Sequence, residues 1–465
     1  MELSRLPLTG WVTLERVATA LASAVLAVCM INGLLDWAGL SPSYSRVLIE
    51  FLAAVLLLVS FLGARTPDRR GALVLSAPLL AATVIGVVVA TLNGAKSVEQ
   101  VLFAREILTP VLFLSAFLCA PVSDALRRRL LGLLAILVAL QVFVCALKFA
   151  LFGVNEKAWI GTMTQSAGQL GLLMPAMALG FAWAFGLVRA RIALAATFAL
   201  MIAAVGVVSE KRATMFLAPA IPMLTLTIWL LVGRFARIRR ERPSRMALHY
   251  LVAVTTVSAI VGLGSLVVIP SLNAENPKYV LYGTHSVIDY IRVYLTRDYD
   301  SPMNISKTSI DDNQNIQLGR LLLLKRAVDL SLDQPLPVAL TGHGGGWLLE
   351  HRFLPHKGGD VLYDRVGLRG PSGLLVRHLF EIGWIGVVLV LAWMFALVTL
   401  LLKALLKAPE SVLAFGALTS VAVLLFDYTF YSEMTWNSGV FMPIFALLAA
   451  FALRSGPECR LERGC

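Results

Sequence analysis

The sequence predicts an all-α integral membrane protein with about 12 transmembrane helices and one large outer loop that contains amphipathic helices. The 465-residue chain is 58% hydrophobic and only 15% charged, whereas soluble globular proteins average about 25% charged residues. From about Val17 to Leu453 it consists of apolar runs, most of them near the ~20 residues that cross a bilayer as a helix. The one long interruption in these runs is a polar stretch at about 270–374.

The apolar runs divide the chain into three parts. Residues 1–269 contain nine predicted spans, residues 270–374 form the outer loop, and residues 375–465 contain three more spans and a tail. The predicted spans are 17–35, 47–64, 72–92, 101–120, 130–151, 162–188, 192–208, 215–233, 247–269, 380–402, 411–427 and 438–453. The first 16 residues lack a cleavable-signal pattern, so we expect the first span to remain as an anchor.

The positions of the cations predict the orientation. Every second connection is basic, and under the positive-inside rule these connections and both termini are cytoplasmic, which leaves 270–374 outside. The net charge of +12 therefore reflects topology and does not indicate nucleic-acid binding, because the arginines form no single basic face. The cations concerned are Arg65, Arg69, Arg70, Arg127, Arg128, Arg129, Arg189, Arg191, Arg234, Arg237, Arg239, Arg240, Arg242, Arg245, Lys403, Lys407, Arg454, Arg460 and Arg463.

The cysteines and histidines suggest neither a disulfide framework nor a metal. Cys29, Cys119 and Cys145 lie inside apolar runs, and the outer loop has no cysteine. The sequence has no CxxC and no His/Cys cluster, so we expect no metal and no other cofactor.

Two segments of the outer loop have helical periodicity, although the loop shows no soluble domain with its own core. Residues 286–296 form the first segment. Residues 319–332 form the second, with Leu321, Leu324, Val328 and Leu332 on one stripe, and it should end before Pro335. We expect both helices to lie against the outer surface of the membrane; the alternative is that they only cap the bundle.

Two groups of outer cations are candidates for binding an anion. Lys211 and Arg212 occupy the short connection between the seventh and eighth spans, and Arg320, Lys325 and Arg326 belong to the second loop helix. The planar arginine fork fits phosphate oxygens with two parallel hydrogen bonds, which suits a diphosphate. The alternatives are helix capping for Arg212 and a solvated face for the second group.

The string Thr341, Gly342, His343, Gly344, Gly345, Gly346, Trp347 is the sharpest local feature. Its four glycines allow close backbone approach to a ligand, and the imidazole can exchange a proton near neutral pH. It lacks the Lys-Ser/Thr ending of a phosphate loop. The alternative interpretation is a flexible turn.

Other ionisable groups are weaker candidates for proton transfer. His378 and Glu381 could share a face at the start of the tenth span, with an internal Arg377–Glu381 pair as the alternative. Asp360 and Asp364 are further possible bases in the loop. We expect the intramembrane groups Arg105, Glu106 and Lys148 to snorkel from span ends.

The arrangement resembles the O-antigen polymerase and O-antigen ligase superfamily of bacterial envelope glycan enzymes, over roughly residues 160–400. Residues 161–183 resemble its polar-start sixth span, and Ser209 to Ala213 resemble its Ser-x-x-Arg-Ala/Gly connection, with Arg212 on the phosphate-binding arginine. The remaining similar positions are Gly319, Arg320, Leu324, Lys325, Pro335, Gly342 and Gly344, then Glu381, Gly383 and Gly386 for a Glu-x-Gly-x-x-Gly element.

The resemblance implies a metal-independent glycosyltransferase of the membrane GT-C type in the bacterial inner membrane, with its site facing the periplasm. Superfamily ligases resemble one another in a His-Asn/Ser/Gln pair where this chain has Ser372 and Gly373, which favours a polymerase. The expected reaction joins undecaprenyl-diphosphate-linked oligosaccharides, with Arg212, Lys211, Arg320 and Arg326 on the diphosphate and His343, Asp364 or Glu381 as catalytic groups. A chain-length regulator and a flippase are implied partners. The alternatives are an O-antigen ligase, a polytopic polysaccharide or lipid transporter, and an unassigned scaffold or sensor.

Overall fold

The computed structural model describes residues 8–39, 42–63, 66–152, 161–163, 319–348, 361–368, 373–407, 412–431 and 440–454, with Trp436 and scattered positions between 220 and 296. Every regular element in these ranges is helical. The elements are α1 Leu8–Trp37, α2 Pro42–Gly63, α3 Thr66–Leu92, α4 Ser97–Cys119, α5 Asp124–Phe152, α6 Arg320–Leu332, α7 Leu336–Thr341, α8 Val361–Val366, α9 Leu374–Glu381, α10 Gly383–Lys407, α11 Val412–Phe426 with a π-helical turn Asp427–Tyr431, and α12 Phe441–Arg454.

In the ranges that the structure describes, seven helices are long and apolar enough to cross a membrane, which indicates a membrane protein. They are α1 to α5, α10, and α11 with the start of its π-helical turn, and they confirm the spans predicted from the sequence in those regions. The helix α12 has only 14 residues. The spans predicted at 162–188, 192–208, 215–233 and 247–269, and the helix at 286–296, lie outside the described residues apart from residues 161–163 and scattered positions.

The helices α4 and α12 form the centre of the bundle. Every residue of α12 from Phe441 to Ala452 is buried, and a helix that is apolar on all sides is expected in such a position. The ring of Trp393 in α10 meets that of Trp436 edge-on, with centroids 5.5 Å apart. Because α12 is enclosed by other helices, it does not need the length of a lipid-facing span.

The turn at residues 93–96, between α3 and α4, marks one end of the bundle, called the loop end below. The elements α6 to α9 lie at this end, where the Gly345 N–H donates to the Gly86 carbonyl of α3 at 2.8 Å. At the opposite end, Arg454 donates to the Ala120 carbonyl just after α4. The second contact shows that α12 ends at the same end of the bundle as α4.

The tenth span begins later than the sequence predicts. The structure has a separate short helix, α9, and a break at Ile382, after which α10 begins at Gly383. Gly383 has φ +62°, and a Cβ built there would lie 2.4 Å from the Leu340 carbonyl carbon of α7. Close packing of α7 against this backbone requires the glycine, so Glu381 belongs to α9 and not to the span.

The helix α6 ends where the sequence predicts, and Pro335 then caps α7. The inward face of α6, however, consists of Leu323, Ala327 and Ser331, whereas Leu321 and Leu332 of the predicted stripe are exposed. Leu323 and Ala327 join a second apolar cluster with α8 and α9, whose other members are Leu348, Leu362, Leu368, Val376 and Phe380. This cluster is separate from the main core of the bundle and joins the outer loop to α9.

Candidate functional site

His343 is held by its backbone between α3 and α9. Its N–H donates to the Phe380 carbonyl at 2.7 Å, and its carbonyl accepts a 2.7 Å hydrogen bond from Asn93 Nδ2. The next residue, Gly344, donates its N–H to the Glu381 carbonyl at 2.9 Å. Backbone groups on both sides of the imidazole are therefore bonded to helices of the protein, so His343 does not lie in a flexible turn.

The glycines around His343 provide space for the protein's own helices. Gly344 has φ +108°, and a Cβ there would lie 2.4 Å from Ala90 Cα in α3. Gly342 has φ +74°, and its Cβ would lie 2.4 Å from the Glu381 carbonyl carbon. The sequence-based interpretation, close approach to a ligand, is corrected at these two positions, because the space is occupied by α3 and α9.

The His343 side chain belongs to an aromatic and cationic stack. Its ring lies parallel to that of Trp347, with centroids 4.1 Å apart and an interplanar angle of 18°. The Arg365 guanidinium carbon lies 4.9 Å from the Trp347 ring centroid. Partial burial, and secondly the charge of Arg365, lower the pKa of His343 below its ordinary value. The half-buried imidazole is therefore neutral near pH 7 and able to accept a proton.

Glu381 lies behind this loop, fully buried. Its Oε1 accepts the Leu348 N–H at 3.0 Å and its Oε2 accepts Arg377 Nε at 3.1 Å. The alternative of an internal pair with Arg377 is thus confirmed. Burial raises the pKa of Glu381 to about 7; Arg377 opposes this rise and Glu106 adds to it. A carboxylate so enclosed supports the loop and is less suited to contact a substrate.

Arg377 connects α9 to the bundle. Its two terminal nitrogens bind both oxygens of Glu106 in α4, at 2.9 and 2.8 Å, and its side chain is only 6% exposed. Glu106 therefore does not snorkel, contrary to the sequence-based prediction. The other two groups expected to snorkel also have protein partners. The Nε of Arg105 lies 2.6 Å from Glu50 Oε2, and the Nζ of Lys148 donates to the Gly161 carbonyl at 2.7 Å.

His378 is enclosed on the other side of α9. Its Nδ1 lies 3.1 Å from the hydroxyl oxygen of Tyr428, in the π-helical turn. Burial, with Arg377 as the second cause, lowers the pKa of His378 to about 3. It is therefore neutral and joins α9 to α11, so of the two histidines described at the loop end, His343 is the one with partial exposure.

The predicted diphosphate cations of α6 do not form one patch. Arg320 is half-buried, and its Nη1 donates to the Phe430 carbonyl at 2.6 Å. This contact lies near the start of α9, because a Cβ on Gly373 would lie 2.6 Å from the Thr429 carbonyl oxygen. His343 lies at the other end of α9, which is about 12 Å long. Lys325 and Arg326 are about 140° and 120° around α6 from Arg320.

Several of the other predicted residues have no described environment. Lys211, Arg212, Asp360 and Ser372 lie outside the described residues, and Asp364 lies in α8, one position before Arg365. The sequence analysis missed Asn93 and Arg365, and it considered Glu106 only as a snorkelling group. Asn93 is 250 positions from His343 and Glu106 is 271 from Arg377. No local pattern could have connected them.

No protein-family model matches this sequence, and no curated protein matches it. The function is therefore inferred from the geometry of the loop end, with the family resemblance as an expectation.

Proposed function

We propose that this membrane protein is a polysaccharide polymerase of the bacterial inner membrane. It would join undecaprenyl-diphosphate-linked oligosaccharide repeat units at the periplasmic face, with about 12 spans in a GT-C type arrangement. The observation that carries the proposal is His343: a half-buried, neutral imidazole, bonded through its backbone to α9 and to the turn after α3, beside the guanidinium of Arg365. Such a group is suited to take a proton from a sugar hydroxyl.

The proposed reaction requires no group beyond the two lipid-linked substrates and these side chains. The acceptor hydroxyl oxygen forms a bond to the anomeric carbon of the donor, and its proton passes to His343. The bond between that carbon and the diphosphate oxygen breaks, and the lipid diphosphate leaves with the electron pair. Arg212 and Lys211, together with either Arg320 or Arg326 from α6, are proposed to bind this diphosphate, since cations favour developing negative charge.

Glu381 is proposed to act on His343 through the backbone. The Glu381 carbonyl accepts the Gly344 N–H and its side chain accepts the Leu348 N–H, so it bonds to the loop directly after His343 and directly after Trp347. The Arg377–Glu106 pair fixes Glu381 in turn. Positioning of this kind contributes to catalysis because the reacting groups are held in one geometry.

The test uses lipid-linked repeat units extracted from source cells in which the gene has been deleted. Purified protein in proteoliposomes should convert them to a ladder of polymer lengths. His343→Ala should lower the rate by about 100 to 10,000 fold, the effect of removing a general base. Ser372→Ala is the matched control and should retain activity. Normal polymer formation by His343→Ala would transfer the role of base to Asp360, Asp364 or Glu381.

One observation favours a different function. The Arg377–Glu106 pair is buried against a membrane-crossing helix, and ionisable groups inside membrane bundles often mark transport pathways. A transporter would move lipid-linked oligosaccharide across the proteoliposome membrane without lengthening it. A ligase would instead require lipid A core as acceptor, and the same assay with that acceptor distinguishes it from a polymerase.

A further inference from the structure

We propose that Trp347 and Arg365 are positioning residues for His343, which hold its imidazole in one orientation beside a fixed positive charge. The proposal rests on the proposed function, in which His343 accepts the proton of the sugar hydroxyl. The sequence gave no indication of Arg365, and it included Trp347 only as the last residue of the glycine-rich string.

Trp347 restricts the direction in which the imidazole points. The backbone of His343 is fixed by Phe380 and Asn93, so the remaining freedom is rotation of its side chain. The parallel contact at 4.1 Å with Trp347 opposes this rotation. Trp347 is itself tied to the same loop, because its N–H donates to the Gly344 carbonyl at 3.2 Å. The two rings therefore keep a fixed relation.

Arg365 reaches the stack from a separate element. The helix α8 is attached through Leu362, which lies in the second apolar cluster with Leu368 just beyond the helix, and this places the guanidinium 4.9 Å from the Trp347 ring centroid. The charged groups that act on Arg365 are Glu99 of α4 and Glu381 of α9. The group that acts on His343 is Arg365, whose charge adds to the effect of burial and lowers the pKa of the imidazole.

The first experiment measures the protonation of His343 without any substrate. Diethyl pyrocarbonate reacts with neutral imidazole, so its rate at the His343 peptide, followed by mass spectrometry against pH in the purified full chain, reports the pKa. Arg365→Gln should shift the midpoint to higher pH, whereas Arg365→Lys, which keeps the charge, should leave it close to that of the unchanged protein. An unshifted midpoint in Arg365→Gln, with the Lys variant also unshifted, would overturn the role of Arg365.

The second experiment tests by enzyme activity whether the Trp347 ring positions His343. Trp347→Phe keeps a ring and should retain most polymer formation, whereas Trp347→Leu should lower kcat by about 10-fold or more with KM little changed, since misplacement of a catalytic group acts on the chemical step. Equal activity of the Phe and Leu variants would contradict the positioning role.

The two proposals fail separately. If His343→Ala keeps its activity while Arg365→Gln shifts the reactivity midpoint, the proposed base is wrong and the electrostatic role of Arg365 stands. If His343→Ala is inactive and Arg365→Gln leaves the midpoint unchanged, the base stands and the role of Arg365 is wrong.

Discussion

At the scale of single residues, Arg377 shows how the loop end is joined to the bundle. Its guanidinium binds Glu106 of α4 with two nitrogens and Glu381 of α9 with the third. All three side chains are buried. Because a buried charge without a partner is much more unfavourable than an exposed one, the loss of either carboxylate should destabilise the folded protein.

Glu106→Gln is therefore expected to lower the free energy of unfolding, by less than the about 3 to 5 kcal/mol that follows when a buried charge loses every partner, because Arg377 keeps Glu381. The measurement is the thermal unfolding midpoint in detergent micelles. Glu50→Gln is the matched control: its partner Arg105 is 31% exposed, so its shift should be smaller. Equal shifts of the unfolding midpoint in the two variants would show that the buried Arg377–Glu106 pair stabilises the protein no more than the partly exposed Arg105–Glu50 pair does.

The lowered pKa of His343 also predicts the pH dependence of activity. A base works in its neutral form, and a lowered pKa keeps that form present at lower pH. In a plot of kcat/KM against pH, the midpoint of the acid limb should therefore lie below pH 6.5, the ordinary pKa of histidine. Rates measured in one series of overlapping buffers test this. An acid limb at or above pH 6.5 would contradict the neutral, half-buried imidazole.

At the scale of elements, the loop at residues 342–348 acts as a wedge between α3, α4 and α9. Gly344→Ala would place a Cβ against Ala90 as well as impose the φ of +108° on a side chain. Overpacking costs about 1 to 3 kcal/mol and left-handed backbone about 1 to 2 kcal/mol.

Gly94→Ala is the control for that variant, because its φ is +71° and a Cβ there would meet nothing within 4 Å. Gly94→Ala therefore has the strain of a positive φ without the steric clash. Gly344→Ala should thus lower the unfolding midpoint more than Gly94→Ala, and it should abolish polymer formation while the control retains it. Similar behaviour of the two variants would mean that the loop does not depend on close packing at Ala90.

The same elements show what the sequence could and could not predict. The end of α6 was predictable, because a following Pro335 disfavours helix at the residue before it. Its buried face was not, because α6 has two apolar rows and periodicity does not say which of them meets the core. The glycines were recognised as sites of close approach, but their partners Ala90 and Glu381 lie far away in sequence.

At the scale of the whole molecule, apolar length predicted the seven long helices of the described ranges, since a bilayer requires about 20 apolar residues in any sequence. It predicted the start of the tenth span less well. Leu379 and Phe380 are apolar and continue the run, yet both are buried in α9, and Phe380 joins the second apolar cluster. Hydropathy measures burial in an apolar environment and does not distinguish lipid from a protein core.

The described helices are compatible with the predicted topology. The helix α5 ends, and α6 begins, at the loop end. The four spans that the sequence predicts between them, at 162–188, 192–208, 215–233 and 247–269, are an even number and agree with this placement; these spans and the total of about 12 stay predictions. The contacts at the loop end also require that residues 93–96 and α6 to α9 share one side of the membrane.

Single cysteines in a chain whose five native cysteines are replaced test this topology. A maleimide that cannot cross the inner membrane should label Lys96→Cys and Asp333→Cys in intact cells with a permeable outer membrane. Ser123→Cys, in the turn between α4 and α5, should be labelled only after the inner membrane is opened. If Lys96→Cys and Asp333→Cys differ, the packing of His343 on α3 is wrong. If both are labelled only after opening, the fold stands, but the arginine-based orientation and a periplasmic polymerase site are both wrong.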